Sequence, residues 1–240
     1  MKKSVVNLAL IGSLAACSNI ALADCKTITS AGDVLAVAQG VVTGNPMWVT
    51  LVDETGKVCK IVNTSAGSGN GKIGFSDKSW LLSRIISVQK ANTSAGLSTD
   101  SVPFSSAMLY SAALPGGSLY GVQHSNPVDA SAAYRGSPNS YGTSGDPLKN
   151  KRIGGVNIFG GGLGLYKDGK KVGAIGVSGD ASCTDHAVAW QIREALGLSF
   201  GGGDELVIDT DNSLLPDSSE HPNCGLTAAT IPANSGIITD

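Results

Sequence analysis

The sequence predicts an α+β domain in which helices pack on a mostly antiparallel sheet. Apolar residues recur at helical spacing in three separate stretches, and Gly-bearing turns sit between β-rich segments. The resulting order runs helix, hairpin, helix, hairpin, helix, without an internal repeat. A hydrophobic content of 42% over 240 residues suffices for one sizeable core or two small ones.

The chain opens on Met1-Lys2-Lys3, followed by an apolar run from Val5 to Ala16 and the small-x-small pattern Ala21-Leu22-Ala23 before Asp24. This is the pattern of a bacterial secretory signal peptide over residues 1–23. A bilayer span needs about 20 apolar residues, so the run is not a transmembrane segment, and no later stretch approaches that length. Leu14-Ala15-Ala16-Cys17 overlaps the signal as a lipobox. Two expectations follow: an exported periplasmic or extracellular protein, and alternatively a lipoprotein anchored through Cys17.

From Thr29 to Val42, Val34, Val37, Ala38 and Val41 recur at helical spacing until Gly44 and Pro46. Met47 to Val52 and Lys57 to Asn63 read as half-buried strands of a hairpin around Asp53-Glu54-Thr55-Gly56. A Gly/Ser-rich loop over 64–76 leads to Asp77, which caps a helix carrying Leu81, Ile85, Ile86 and Val88 as far as about Ala95. A short helix is expected at about Ser105 to Ala113. Residues 115–152 then lack periodicity and form an insertion of the kind that is often functional. Asp168-Gly169 marks a second hairpin, and the bare positions Gly173 and Gly176 on its returning strand require close packing against one strand face. Ser182 caps a helix reaching Leu198, striped by Val188, Ala189, Ile192, Ala195 and Leu196. Beyond Gly201-Gly202-Gly203 the tail is polar. The organisation is therefore a signal peptide over 1–23, a domain over 24–198 containing the insertion, and a C-terminal extension over 199–240.

Cys25, Cys59, Cys183 and Cys224 form an even set, which in an oxidising compartment implies disulfides. Of the three connectivities, Cys25 with Cys59 and Cys183 with Cys224 is favoured, because each bond ties a flanking segment to an adjacent element. The alternative is a zinc site built from Cys183-x-x-His186 and His221-x-x-Cys224.

Composition excludes some functions. With 17 Lys+Arg against 19 Asp+Glu there is no positive excess for a phosphate backbone, so nucleic acid is not an expected partner. Gly164 to Lys171 is near a P-loop but precedes a strand and lacks the closing Ser/Thr. Gly69-Asn70-Gly71-Lys72-Ile73-Gly74 spells a dinucleotide fingerprint but follows a hairpin strand and has no acid about 20 residues on. Gly176-Val177-Ser178-Gly179-Asp180 fails as a nucleophile elbow, and no catalytic triad is assigned.

The run Gly161-Gly162-Leu163 through Asp168-Gly169-Lys170-Lys171-Val172-Gly173-Ala174-Ile175-Gly176-Val177-Ser178-Gly179 resembles the signature hairpin of the GlcG/HbpS-like haem-binding family, and Lys90-Ala91 on the second long helix resembles it too. The resemblance covers roughly residues 28–198 without the insertion. The family usually has Pro where this chain has Gly164. The resemblance implies a profilin-like fold of about five antiparallel strands with flanking helices, homo-oligomers, and haem or another small ligand as cofactor or partner. Haem iron is commonly held by His. That makes His186, after the hairpin, and His124, among Tyr120, Tyr134 and Tyr141 in the insertion, the candidate ligands. His221 reads as structural, and Met47 and Met108 as core. Lys90 and Arg84 are candidates for the propionates, against the plainer reading of a solvated helix face. The expected role is haem capture, storage, delivery or sensing. The alternatives are an enzyme on haem or a small organic acid, using Asp180, Asp185 and His186 as an acid/base cluster, and a ligand-free scaffold.

Overall fold

In the computed structural model residues 24–65, 81–210 and 220–239 are described. The signal peptide, the Cys17 lipobox, the Gly69–Gly74 loop and the expected Asp77 cap lie outside them.

The expected first helix is two short ones, α1 (Cys25–Thr29) and α2 (Val34–Val41). Asp24 accepts from the amides of Lys26 and Thr27, and Asp33 accepts from that of Leu35, so each helix has its own cap and the chain turns between them. Gly32 lies in that turn, where a Cβ would sit 3.0 Å from Leu196. Strand β1 (Trp48–Asp53) and strand β2 (Val58–Asn63) form the first hairpin. The long helix α3 covers Leu81–Leu97. In place of the expected helix at 105–113 there are two 3-10 segments, Ser106–Leu109 and Ser111–Ala113. The insertion carries one-turn helices α4 (Val122–Ser125) and α5 (Ala130–Ala133). Strands β3 (Gly162–Lys167) and β4 (Lys170–Ser178) make the second hairpin. Its turn residues Asp168 and Gly169 have φ of 51° and 71°, the left-handed pair that a tight hairpin requires.

The strands form one antiparallel sheet in the order β2-β1-β4-β3, four strands against the expected five or so. Helix α6 (Ser182–Ala195) follows, shorter than expected, with Ala181 rather than Ser182 at its N-cap. The extension adds a small parallel sheet of β5 (Leu206–Ile208) between β6 (Glu220–His221) and β7 (Ile237–Thr239).

The central strands are buried on both faces, not half buried. Along β1, Val49 and Leu51 join Ile28, Val34, Val188 and Ile192 in a core beneath α1, α2 and α6. Trp48 and Val52 point the other way and join Ile85, Val88 and Ala91 of α3 with Leu148 and Ile153. Gly173 and Gly176 do not share one bare face. A Cβ on Gly173 would meet Ile28 at 2.6 Å, whereas one on Gly176 would run into the Ser87 carbonyl and lie 2.6 Å from the Ala91 amide of α3. At Gly176 the helix backbone rests directly on the sheet backbone.

Two disulfides close the fold, Cys25–Cys59 from α1 to β2 and Cys183–Cys224 from α6 to the extension. The insertion runs along the outer edge of β2, where the Val58 amide donates to the Lys151 carbonyl and Asn150 donates back to the Val58 carbonyl, both at 2.8 Å. No described helix is long and apolar enough to cross a membrane.

Candidate functional site

Among the described residues, three buried ion pairs hold cations against the core. Arg84 of α3 donates to both carboxylate oxygens of Asp146 and to the Ala133 carbonyl, with Tyr141 stacked 3.7 Å from the guanidinium. Asp146 also accepts from the amides of Gly142 and Leu148, so a single charge pair organises the insertion. Removing one partner of such a pair typically destabilises by about 3–5 kcal/mol. Lys90 donates to Asp185 at 2.7 Å and to the Val177 carbonyl at 3.1 Å. Burial pushes the Lys90 ammonium below its usual range and the Asp185 carboxyl above its own, while their mutual attraction opposes both shifts. Arg193 of α6 makes a two-point pair with Asp204. Arg84 and Lys90 therefore lie on a buried face, contrary to the solvated-face reading, and are committed to partners inside the chain.

The three histidines occupy different environments. His186 of α6 is wholly buried, with the Gly236 backbone facing its ring. Its imidazole stacks on Trp190, with ring centroids 6.2 Å apart. Burial, reinforced by Arg193 and His221, lowers its pKa to about 3, so the ring is neutral. His221 is 1% exposed. Its Nδ1 lies 2.9 Å from the Pro222 carbonyl, its Nε2 is 3.0 Å from the Ser182 hydroxyl, and its ring packs on Tyr110. Burial lowers its pKa to about 4. His124 of α4 is exposed. Shortly before it in the chain, Tyr120 and Leu119 are 67% and 42% exposed.

A cavity of about 280 Å³ lies where α2, α6 and the extension meet, walled by Val41, Met47, Ala187, Val188 and Leu226, with Asp180 at its rim. No histidine or tyrosine lines it. Asp180 accepts from Asn45 at 2.9 Å, and its amide donates to Asp185. The acid/base cluster expected of Asp180, Asp185 and His186 does not form around an opening, since Asp185 faces Lys90 and the His186 ring nitrogens face protein interior. The cavity itself was not foreseen in sequence, because its walls come from segments some 140 residues or more apart in part, joined only by the fold.

The extension gathers a further cluster. One sulfur each from Cys183 and Cys224 and one nitrogen of His221 lie within 4.8 Å of one another. The Ser182 hydroxyl is 3.7 Å from the Cys224 sulfur, and the Cys183 amide donates to that sulfur at 3.3 Å. His186, the fourth member of the expected zinc set, is not in this cluster.

A family model described as haem degrading protein HbpS-like matches residues 20–193. Among solved structures the chain is similar to protein ORFY of Klebsiella pneumoniae, of the family DUF336, at 21% identity over 72% of this chain and 90% of that chain, with a TM-score of 0.48. It is also similar to a PduOC:heme complex at 22% identity over 72% of this chain and 91% of that one, with a TM-score of 0.44. No curated protein matches the chain.

Proposed function

The chain belongs to the HbpS-like family, and on that premise we propose that it is an exported haem-binding protein whose insertion presents His124 as the axial ligand. The family description supports the haem connection. The basic start, apolar run and Ala-x-Ala pattern support export, and the two disulfides fit an oxidising compartment.

The cavity between α2, α6 and the extension offers no imidazole or phenol to an iron. His186 and His221 are enclosed by protein. The stretch from Leu119 to His124 fits better: it carries an accessible imidazole and, close by in sequence, an exposed aromatic ring and leucine side chain. The single observation carrying the proposal is that His124 is the one histidine of three whose side chain reaches solvent.

Haem held there would supply iron for ligand or redox chemistry. His124 would offer a ring nitrogen to it, and Tyr120 and Leu119 would offer apolar surface. The Arg84–Asp146 pair holds the 133–148 part of the insertion against α3. Haemin titration of the chain, followed at the Soret band, is expected to give a saturable shift that His124→Ala abolishes and His186→Phe leaves intact. An unchanged titration in His124→Ala would overturn the assignment. Adding ascorbate in air separates binding from degradation, since a binding protein keeps its Soret absorbance and a degrading enzyme bleaches it. Size-exclusion of the same samples reads the homo-oligomer implied by the family.

A further inference from the structure

We propose that reduction of the Cys183–Cys224 disulfide creates a site for a thiophilic divalent ion such as Zn²⁺, held by Cys183, Cys224 and the Nε2 of His221. The site is separate from the His124 surface and does not depend on the haem reading.

The geometry supplies the ligand chemistry in one place. The three donor atoms already lie within 4.8 Å of one another. Zinc binds thiolate and imidazole at about 2.3 and 2.0–2.1 Å in tetrahedral sites, and paired ligands commonly come from a two-residue spacer in a tight turn. His221-x-x-Cys224 has that spacing. Its turn is tight: Cys224 and Gly225 have φ of 55° and 78°, and the Leu226 amide donates back to the Asn223 carbonyl at 2.8 Å. Cys183 approaches from a different element, the first turn of α6.

The histidine is oriented as a metal ligand requires. With Nδ1–H donating to the Pro222 carbonyl, the lone pair sits on Nε2, which faces the Ser182 hydroxyl, itself 3.7 Å from the Cys224 sulfur. Such a hydrogen bond on the remote nitrogen is the usual support of a metal-bound imidazole. In the oxidised chain the Ser182 hydroxyl donates to Nε2, and on metal binding it is free to turn away. The Cys183 amide donates toward the Cys224 sulfur and favours thiolate there once the bond is broken. Three protein ligands leave a fourth position for water or the Ser182 oxygen.

The reaction balances with a dithiol reductant. Its thiolate attacks the disulfide, the Cys183–Cys224 S–S bond breaks, the reductant leaves as its own disulfide, and its two protons end on the two cysteine sulfurs. Zn²⁺ then displaces those protons. Reoxidation of the pair would expel the ion, so the site is occupied only in the reduced chain.

The test separates this cluster from the second cystine, because Cys25 and Cys59 also lie close to an acid, Asp53. The full chain is reduced with a phosphine, mixed with Zn²⁺ or buffer, pulsed with iodoacetamide and mapped peptide by peptide. Zinc is expected to slow alkylation of Cys183 and Cys224 at least tenfold and to leave Cys25 and Cys59 unaffected. Co²⁺ should give the thiolate charge-transfer and visible bands of a tetrahedral site. His221→Ala should lose both signals while circular dichroism shows the fold retained. Should that variant unfold, His221→Cys, which restores a donor, must recover the cobalt bands. Protection that is absent, falls on Cys25 and Cys59, or survives His221→Ala would overturn the proposal.

Discussion

His186 shows how a polar residue can be absorbed by a core. It sits on the buried face of α6, three residues before Ala189, and burial outweighs the Gly236 backbone in setting its charge state. Above pH 6.5 the ring is neutral in both folded and unfolded chains and gives no pH dependence. Below it the unfolded chain takes up a proton that the folded one refuses until about pH 3, so stability falls with pH across that window. The slope attributable to this group is about 1.4 kcal/mol per pH unit. Urea midpoints measured from pH 7 to 4.5 should therefore fall less steeply for His186→Phe than for the parent, and parallel slopes would refute the account. The stripe of Val188, Ala189 and Ile192 was legible in the sequence, whereas His186 read as a candidate ligand and its burial at the start of the same face emerges only from the packing. The buried state of Arg84 and Lys90 was not legible, because their acids lie 62 and 95 residues away along the chain and no local pattern announces them.

At the scale of elements, the signature hairpin was the most readable part of the chain. Asp168-Gly169 specified the turn, and the bare positions on β4 signalled a close approach, although not that Gly173 and Gly176 face opposite layers. The Cβ of a Gly176→Ala variant would be driven into the backbone of α3 at Ser87 and Ala91, and a helix backbone cannot yield as a side-chain tip does. Overpacking of this kind costs about 1–3 kcal/mol or more. Chemical denaturation should place Gly176→Ala at or beyond the upper end of that range, while Gly169→Ala, where a Cβ meets open space at φ of 71°, should suffer only turn strain. Comparable midpoints for the two would show that α3 does not rest on β4 as described. The parallel sheet of the extension was unreadable by contrast. Its strands have two or three residues, too few for periodicity, and each is stabilised by partners far along the chain.

For the whole molecule, composition and the order of elements predicted the α+β class and the antiparallel main sheet, and His124 and the Cys183/Cys224 pair stood out in the sequence, whereas the exposure of His124 and the approach of His221 to the two sulfurs are visible only once the chain is packed. The insertion carries the exposed His124, and the extension brings His221 and Cys224 to the start of α6. The pairing of residues 150–151 with Val58 has a further consequence for solubility. An open strand edge is a template for another chain, and here the chain's own insertion occupies part of that edge. Replacing residues 130–152 by a short Gly/Ser link, with Arg84→Met so that no cation is stranded, should expose β2. Light scattering on that variant should show concentration-dependent assemblies larger than those of the parent, and an unchanged mass would mean that the edge is guarded by other means. The segment proposed to hold the ligand would then also keep the molecules apart as their concentration rises.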